Sequence, residues 1–443
     1  MMRKMKITKS NLAKKQFLVE ETVEMGNIRE TYENENVNVF DDIRYQSILG
    51  FGGAFTEASG YNYSLLSEED KKKFIKMYFD KKEGNAYNFG RACIQSTDFS
   101  LDTYTYVKEG DKTLESFSIE RDKKYIIPLI KDAMEYCQEE LILFASPWSP
   151  PAYMKDNDSM VGGELLDDYK KIWALYYIKF IKAYAQEGIK ISALTVQNEP
   201  KARNQTWECC YYSPQDEQTF IRDYLAPTLD AEGLSDVKII VWDHNKERVY
   251  DRAKEVLSDK TVSDRVWAVG HHWYSGDHFE GMRLVHEQLH KPLICTEFTA
   301  KIIWDVDELA ERYAVEMCEN FNNYDIACCD WNILLDKNGG PYHDRDAGCY
   351  SPIQYDEKKK KVVATPIYYY MGHFSRFVHR GAQRVATTKY TRDLNVCAFV
   401  NEDGSRVLII INTSEKDLPV NIRYKGTSTH IETEAHSIAT ICF

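Results

Sequence analysis

Eight times between residues 47 and 331 a short apolar run ends in a polar stretch, and amphipathic helices lie between most of these runs. The runs are SILGFGGAF, AYNFGRACIQ, LILFAS, ISALTVQ, VKIIVWD, VWAVGHHW, PLICTE and DIACCDW. Strands that alternate with helices pair in parallel through right-handed crossovers. Eight such units predict the α/β class, as a (β/α)8 TIM barrel with sizeable loops. An open doubly wound sheet is the competing arrangement. Its GxGxxG fingerprint does not follow the first strand, where GFGGAF spaces its glycines too closely for a dinucleotide turn. Helix starts are marked by Ser67 ahead of LSEEDKKKFIKMYFD's acids, and by Ser213 with Pro214 at the first helical position. DYKKIWALYYIKFIKAYAQEG and VDELAERYAVEMCENFNNY carry apolar residues at three- and four-residue spacing.

The two ends of the chain follow another period. Residues 7–46 and 382–443 alternate apolar and polar residues with no helical repeat, and NEDGS and NTSEKD are hairpin-type turn signals. They predict one antiparallel β-sandwich assembled from both termini: residues 1–46 and 382–443, flanking a catalytic barrel at 47–381. The KKKK run at 358–361 reads as a solvated hairpin turn.

A formal charge of −13 argues against nucleic acid as a partner, because phosphate binding needs a basic surface. No stretch of 18 apolar residues exists to span a membrane. The basic start MMRKMKITKSNLAKKQFLVE lacks the apolar segment and cleavage site of a signal peptide, so a cytoplasmic protein is expected. Eleven cysteines, mostly inside apolar runs, read as reduced core residues rather than a disulfide framework.

In a parallel barrel the residues at the C-terminal strand ends face the active site. Those positions supply Arg91 and Asp98 after strand 2, Trp148 after strand 3, and Asn198 and Glu199 after strand 4. Strand 6 supplies His272, Trp273 and Tyr274, strand 7 Glu297, and strand 8 Asp330, Trp331 and Asn332. Glutamates closing strands 4 and 7 would face each other across the mouth, the paired-carboxylate arrangement that glycoside hydrolysis requires. His271 and His272 read as a hydrogen-bonded rim pair, since no third residue has metal-ligand spacing. Trp273 reads as core, and Trp242 and Asp243 as lining the entrance.

At these residues the chain resembles a known family. GFGGAFTEA, STDFSLDTYTYV, ASPWSPPAYMK, TVQNEP, VGHHWY, CTEF, DWNILLDKNGGP and MGHFSRF, in this order, are similar to glycoside hydrolase family 30, nearest its acid β-glucosidase (glucosylceramidase) branch. The resemblance implies a retaining β-glycosidase that acts on a β-glycoside or oligosaccharide and needs no metal or organic cofactor. It implies Glu297 as nucleophile and Glu199 as acid/base, the latter kept protonated by burial and its carboxylate neighbour. It also implies that Arg91 holds the nucleophile ionised and that Asn198 binds the sugar 2-hydroxyl. Asp98 and Trp148 would bind hydroxyls on the far side of the ring and Trp331 would form its aromatic wall. Tyr274 would lie beside the nucleophile and His272 on the substrate-binding rim. A β-xylosidase, β-fucosidase or β-1,6-glucanase of the same family is the first alternative, and a non-catalytic carbohydrate-binding barrel the second. The loop 342–351, YHDRDAGCYS, departs from the glucosylceramidase pattern in length and content, which leaves the glycone open.

Overall fold

The computed structural model describes residues 4–24, 26–27, 33–202 and 206–443. Eight parallel strands close into a barrel: β1 (Gly50–Phe55), β2 (Phe89–Ile94), β3 (Ile142–Pro147), β4 (Ile191–Thr195), β5 (Lys238–Asn245), β6 (Val266–His272), β7 (Leu293–Glu297) and β8 (Asp325–Asn332). Each expected strand is present. They read as near-continuous apolar runs because one face meets the helical shell and the other the barrel interior. Phe89, Phe144, Ala193, Ile240, Ala268, Ile294, Ala327 and Cys329 form one buried cluster inside the barrel. β1 adds glycines instead of bulk: a Cβ on Gly52 would stand 1.5 Å from the Phe89 carbonyl oxygen. The glycines of GFGGAF therefore serve strand packing.

Ser67 caps its helix by accepting from the Asp70 amide. Ser213 forms a full capping box with Asp216, with Pro214 in the first turn. The helix that Ser213 opens relaxes into a π-turn over Phe220–Leu225 just before Pro227, which has no amide hydrogen to continue the regular ladder.

Both ends of the chain enter one ten-stranded sheet beside the barrel. Strand Lys4–Asn11 pairs antiparallel with Ser437–Cys442, and Asn36–Ser47 pairs with Gln383–Thr388. The alternation expected across residues 7–46 also covers residues 25 and 28–32, which lie outside the described residues. Two details differ from expectation. Asn36–Ser47 runs parallel, not antiparallel, to Leu418–Tyr424. NEDGS closes a true hairpin, whereas NTSEKD joins strands that are not neighbours. Lys358, Lys359 and Lys360 lie in the turn between strands Ile353–Asp356 and Lys361–Ala364, and Lys361 opens the second strand.

Strand Arg406–Asn412 shows how the sheet is welded to the barrel. Leu408 and Ile410 face the sandwich core, while Val407, Ile409 and Ile411 join the large core that includes the barrel's helices. Successive side chains point to opposite faces, so RVLIIIN is apolar throughout because both faces are covered. None of the eleven cysteines forms a disulfide. Among the described residues no helix is long and apolar enough to cross a membrane.

Candidate active site

Strand period places Phe89, Arg91 and Cys93 on the inward face of β2, one above another toward the mouth. Arg91 therefore lies within β2, below the rim, and is wholly buried. All three of its nitrogens donate, through four of the five N–H groups. Nη1 donates to Glu297 Oε2 at 2.6 Å. Nη2 donates to Asp243 Oδ2 at 2.7 Å and to Asn198 Oδ1 at 2.9 Å, and Nε donates to Ser146 Oγ at 3.0 Å. Its planar face sits 4.7 Å from the Trp148 ring and 5.4 Å from Trp331, and these two rings stack on each other at 4.9 Å. Only a planar, fork-shaped cation can serve four acceptors while stacking on indole.

Glu297 closes β7. A register shift between His271 and His272 pairs it with His272 on the neighbouring strand. Strict alternation from inward Ile294 would turn Glu297 outward; an irregularity of this kind re-aims a side chain. Tyr274 Oη donates to Glu297 Oε1 at 2.9 Å, so each carboxylate oxygen has its own donor.

Glu199 stands beyond β4 with φ +48°, a left-handed backbone that is uncommon for glutamate. Its amide donates to the Asp243 carbonyl at 2.9 Å, and the Asn198 amide donates to the Pro147 carbonyl at 2.9 Å. The turn is thus pinned to β5 and β3. Trp242 (φ +74°) and Asp243 (φ +49°) are left-handed as well, which sends Trp242 into the outer core and Asp243 inward. Three such residues around one mouth store strain where the structure over-determines them. Neither Trp242 nor Asp243 lines the entrance. Both are buried, and Asp243 bridges Arg91 and His272.

His272 lies behind the acids and does not line the cavity, which departs from the rim position expected of it. Its Nε2 is 3.0 Å from Asp243 Oδ1, and its Nδ1 is 3.3 Å from Glu199 Oε1 and 4.0 Å from Glu297 Oε1. Carboxylates at both nitrogens require both to donate, which favours the imidazolium. Burial works against that charge, but Glu297, Asp243 and Glu199 outweigh it and raise His272 to about 9. Glu199 answers in the opposite sense: burial pushes it up, yet the His272 hydrogen bond and the His244 and His272 rings bring it below the usual carboxylate range. Within the His272–Glu199 hydrogen bond the surrounding charges thus favour the proton on the imidazole side. Asp243 is held far down against its burial, chiefly by Arg91.

His271 and His272 do not form a rim pair. His271 points into the outer wall, where Nε2 meets both oxygens of Asp325 at 2.8 and 2.9 Å. With Cys295 these residues bring one ligand atom each within 4.8 Å, a buried group apart from the mouth whose imidazole already hydrogen-bonds the carboxylate.

The mouth holds a cavity of about 320 Å³ lined by Asp98, Trp148, Asn198, Glu199, Tyr274, Glu297 and Trp331; of the residues given a catalytic or sugar-binding role only Arg91 and His272 stand behind its wall, while Asp330 and Asn332 at the end of β8 turn away to Tyr313 and Thr56. Trp273 also touches the cavity, while packing at 4.8 Å on Tyr313. Sequence reading passed over Asp243's bridging role, His244 beside Glu199, and Trp207 and Arg345 on the wall. The odd loop 342–351 was the one signal that pointed toward Arg345.

A parallel barrel whose mouth gathers two glutamates, a buried arginine and stacked indoles defines a glycoside hydrolase. The chain belongs to glycosyl hydrolase family 30: the family's TIM-barrel domain matches residues 48–378 and its beta sandwich domain residues 381–441. It is 32% identical over 402 residues to the lysosomal acid glucosylceramidase of Mus musculus, covering 86% of this chain and 77% of that protein. It is 27% identical over 400 residues to an endo-1,6-beta-D-glucanase of Trichoderma harzianum, covering 85% and 80%. Among solved structures, SrfJ from Salmonella typhimurium superposes with a TM-score of 0.96 at 33% identity, covering 100% of this chain and 99% of that one. The endo-beta1,6-glucanase BT3312 superposes with a TM-score of 0.89 at 27% identity, covering 99% and 98%.

Proposed function

We propose that this protein is a retaining β-glycosidase acting on β-glucosides, with Glu297 as nucleophile and Glu199 as acid/base. One observation carries the reading: a single nitrogen, His272 Nδ1, lies 3.3 Å from one glutamate and 4.0 Å from the other on the wall of one cavity. These distances cap the gap between the two Oε1 atoms at about 7.3 Å, which admits the roughly 5–5.5 Å carboxyl separation of retaining enzymes and leaves out most of the roughly 6.5–9.5 Å range of inverting ones.

In this mechanism Glu297 attacks the anomeric carbon and the glycosidic C–O bond breaks. The leaving oxygen takes a proton from Glu199, which draws it across the hydrogen bond from His272. The ionised Glu199 then removes a proton from water, whose oxygen displaces Glu297 and releases a β-configured sugar. The Oδ1 of Asn198 is engaged by Arg91, which leaves its amide N–H groups for the sugar 2-hydroxyl. Asp98 binds hydroxyls at the far end, with Trp148 and Trp331 as aromatic wall.

Proton NMR of early product tests the mechanism; α-product appearing first would sink it. A panel of nitrophenyl β-glucoside, β-xyloside and β-fucoside with β-1,6-glucan tests the glycone. Trp304, about half exposed at the edge of the cavity, supports a second reading, a β-1,6-glucan chain continuing past the cleavage point. Turnover of the polymer ahead of every small glucoside would select it.

A further inference from the structure

The loop after β8 is latched onto the segment after β2. The His343 amide donates to the Asp98 carbonyl at 3.0 Å, and the His343 ring contacts the Ser100 carbonyl at 3.1 Å and Glu208 at 3.1 Å. The Arg345 guanidinium pairs with the Asp98 carboxylate and lies 5.0 Å from the Phe99 ring and 5.2 Å from Trp207. Glycine permits this closure: at Gly339 (φ +78°) a Cβ would stand 2.5 Å from the Cys349 amide, so the two ends of the loop touch backbone to backbone.

Arg345 and Asp98 both line the cavity that holds Glu199 and Glu297. Around the barrel they span the β8–β1–β2 arc, and the acids with His272 span β4 to β7. A sugar whose anomeric carbon lies between the acids must extend its far carbons toward the Asp98–Arg345 pair. A guanidinium donates in a fixed fork and a carboxylate only accepts. Together they match two neighbouring hydroxyl oxygens, one needing a donor and one an acceptor. Burial raises Asp98 to about 6 even with Arg345 opposing it, so this carboxylate depends on its partner for charge.

We propose that Arg345 selects the glycone: it donates to the hydroxymethyl oxygen of the bound sugar while Asp98 accepts from the adjacent 4-hydroxyl. This rests on the β-glycosidase reading and adds the feature that would separate glucosides from pentosides.

The test compares the full-length enzyme with its Arg345→Gln and Arg345→Lys variants on 4-nitrophenyl β-D-glucoside, its 6-deoxy analogue and β-D-xyloside, with melting curves for each protein. In Arg345→Gln, kcat/KM on the glucoside should fall about 10–100-fold, chiefly through KM, as loss of a charged hydrogen bond predicts. On the 6-deoxy analogue and xyloside, which lose only the support Asp98 draws from Arg345, it should fall about tenfold less than on the glucoside, so the preference collapses. Arg345→Lys should fall between, and it carries the test if Arg345→Gln does not fold. An equal loss on all three substrates, or no loss, overturns the assignment while leaving the β-glycosidase reading intact. A wild-type enzyme inert on all three, with the whole wider panel unturned, overturns that reading and this one with it.

Discussion

Arg91 Nη1 and Glu297 Oε2 lie 2.6 Å apart, and the same guanidinium reaches Asp243 at 2.7 Å with no exposure to solvent. Three carboxylates, Glu199, Glu297 and Asp243, thus meet two cations, Arg91 and His272. The balance leaves the wall one negative charge richer than neutral, facing the place where an oxocarbenium-like charge would develop. Fixed charge aimed at developing charge is the strongest lever a dry site has.

Arg91→Ala should cost about 3–5 kcal/mol, because it strands two buried carboxylates without their cation. Denaturant unfolding would show this directly. Arg91→Lys should fold better yet remain nearly inactive, since one ammonium cannot hold four acceptors in a plane. A lysine variant with near-normal turnover would show that the fork geometry is unimportant.

Glu199→Ala should lower kcat about 10²–10⁴-fold on substrates with poor leaving groups, and much less on a dinitrophenyl glycoside that needs no protonation. Azide should restore its turnover on the activated substrate and yield the β-glycosyl azide, identified by NMR. Glu297→Ala should give no β-azide under any condition. Exchange of these two outcomes would mean the acid and the nucleophile are assigned the wrong way round.

The alkaline limb of the pH profile should be set by the His272–Glu199 pair. His272 is raised to about 9, so it keeps its proton below that value and loses it as pH rises through it, removing the proton Glu199 must deliver. His272→Asn should bring the limb down toward neutrality in kcat measured from pH 5 to 10. An unmoved limb would exclude His272 as the reservoir.

Sugar affinity should weaken on the acid side for a different reason. Asp98, raised to about 6, takes up a proton as pH falls through that value and, once neutral, accepts from a hydroxyl more weakly. KM, or the inhibition constant of a neutral sugar analogue, should rise below about pH 6 while remaining flat above it. A flat response down to pH 4.5 would show that Asp98 stays charged.

Ile409→Ala and Ile410→Ala should each cost about 2–5 kcal/mol, although they point into different cores. Each should lower the one melting transition of the whole chain, read together by circular dichroism and by loss of activity. Two separated transitions, with the barrel active after the sheet has melted, would show that the shared strand does not couple them.

The barrel was legible because strands buried on both faces must be apolar, and runs such as PLICTE and DIACCDW advertise that. Glu199 and Glu297 were legible because each ends such a run. What the sequence concealed lies in long-range geometry. Arg345 meets Asp98 across 247 positions of chain, and no local pattern announces that pairing. His272 was located by its motif, but a motif does not tell on which side of a carboxylate an imidazole will stand. The left-handed turns at Glu199, Trp242 and Asp243 were hidden for a plainer reason: none of these residues is glycine, the usual advertisement of positive φ.

The register Lys6↔Cys442 has a consequence for biosynthesis. Strand Lys4–Asn11 can pair at once with Gln16–Glu24, but its other neighbour, Ser437–Cys442, is synthesised tens of seconds later at ordinary elongation rates of roughly 5–20 residues per second. For most of that time Met5 and Ile7 have only Val37 and Val39 of the buried core they will join, and the helices that will meet Ile409 stay bare. Completion of this sheet is therefore a late assembly step, and a chain cut short before Ser437–Cys442 would be an adhesive intermediate for chaperones to hold.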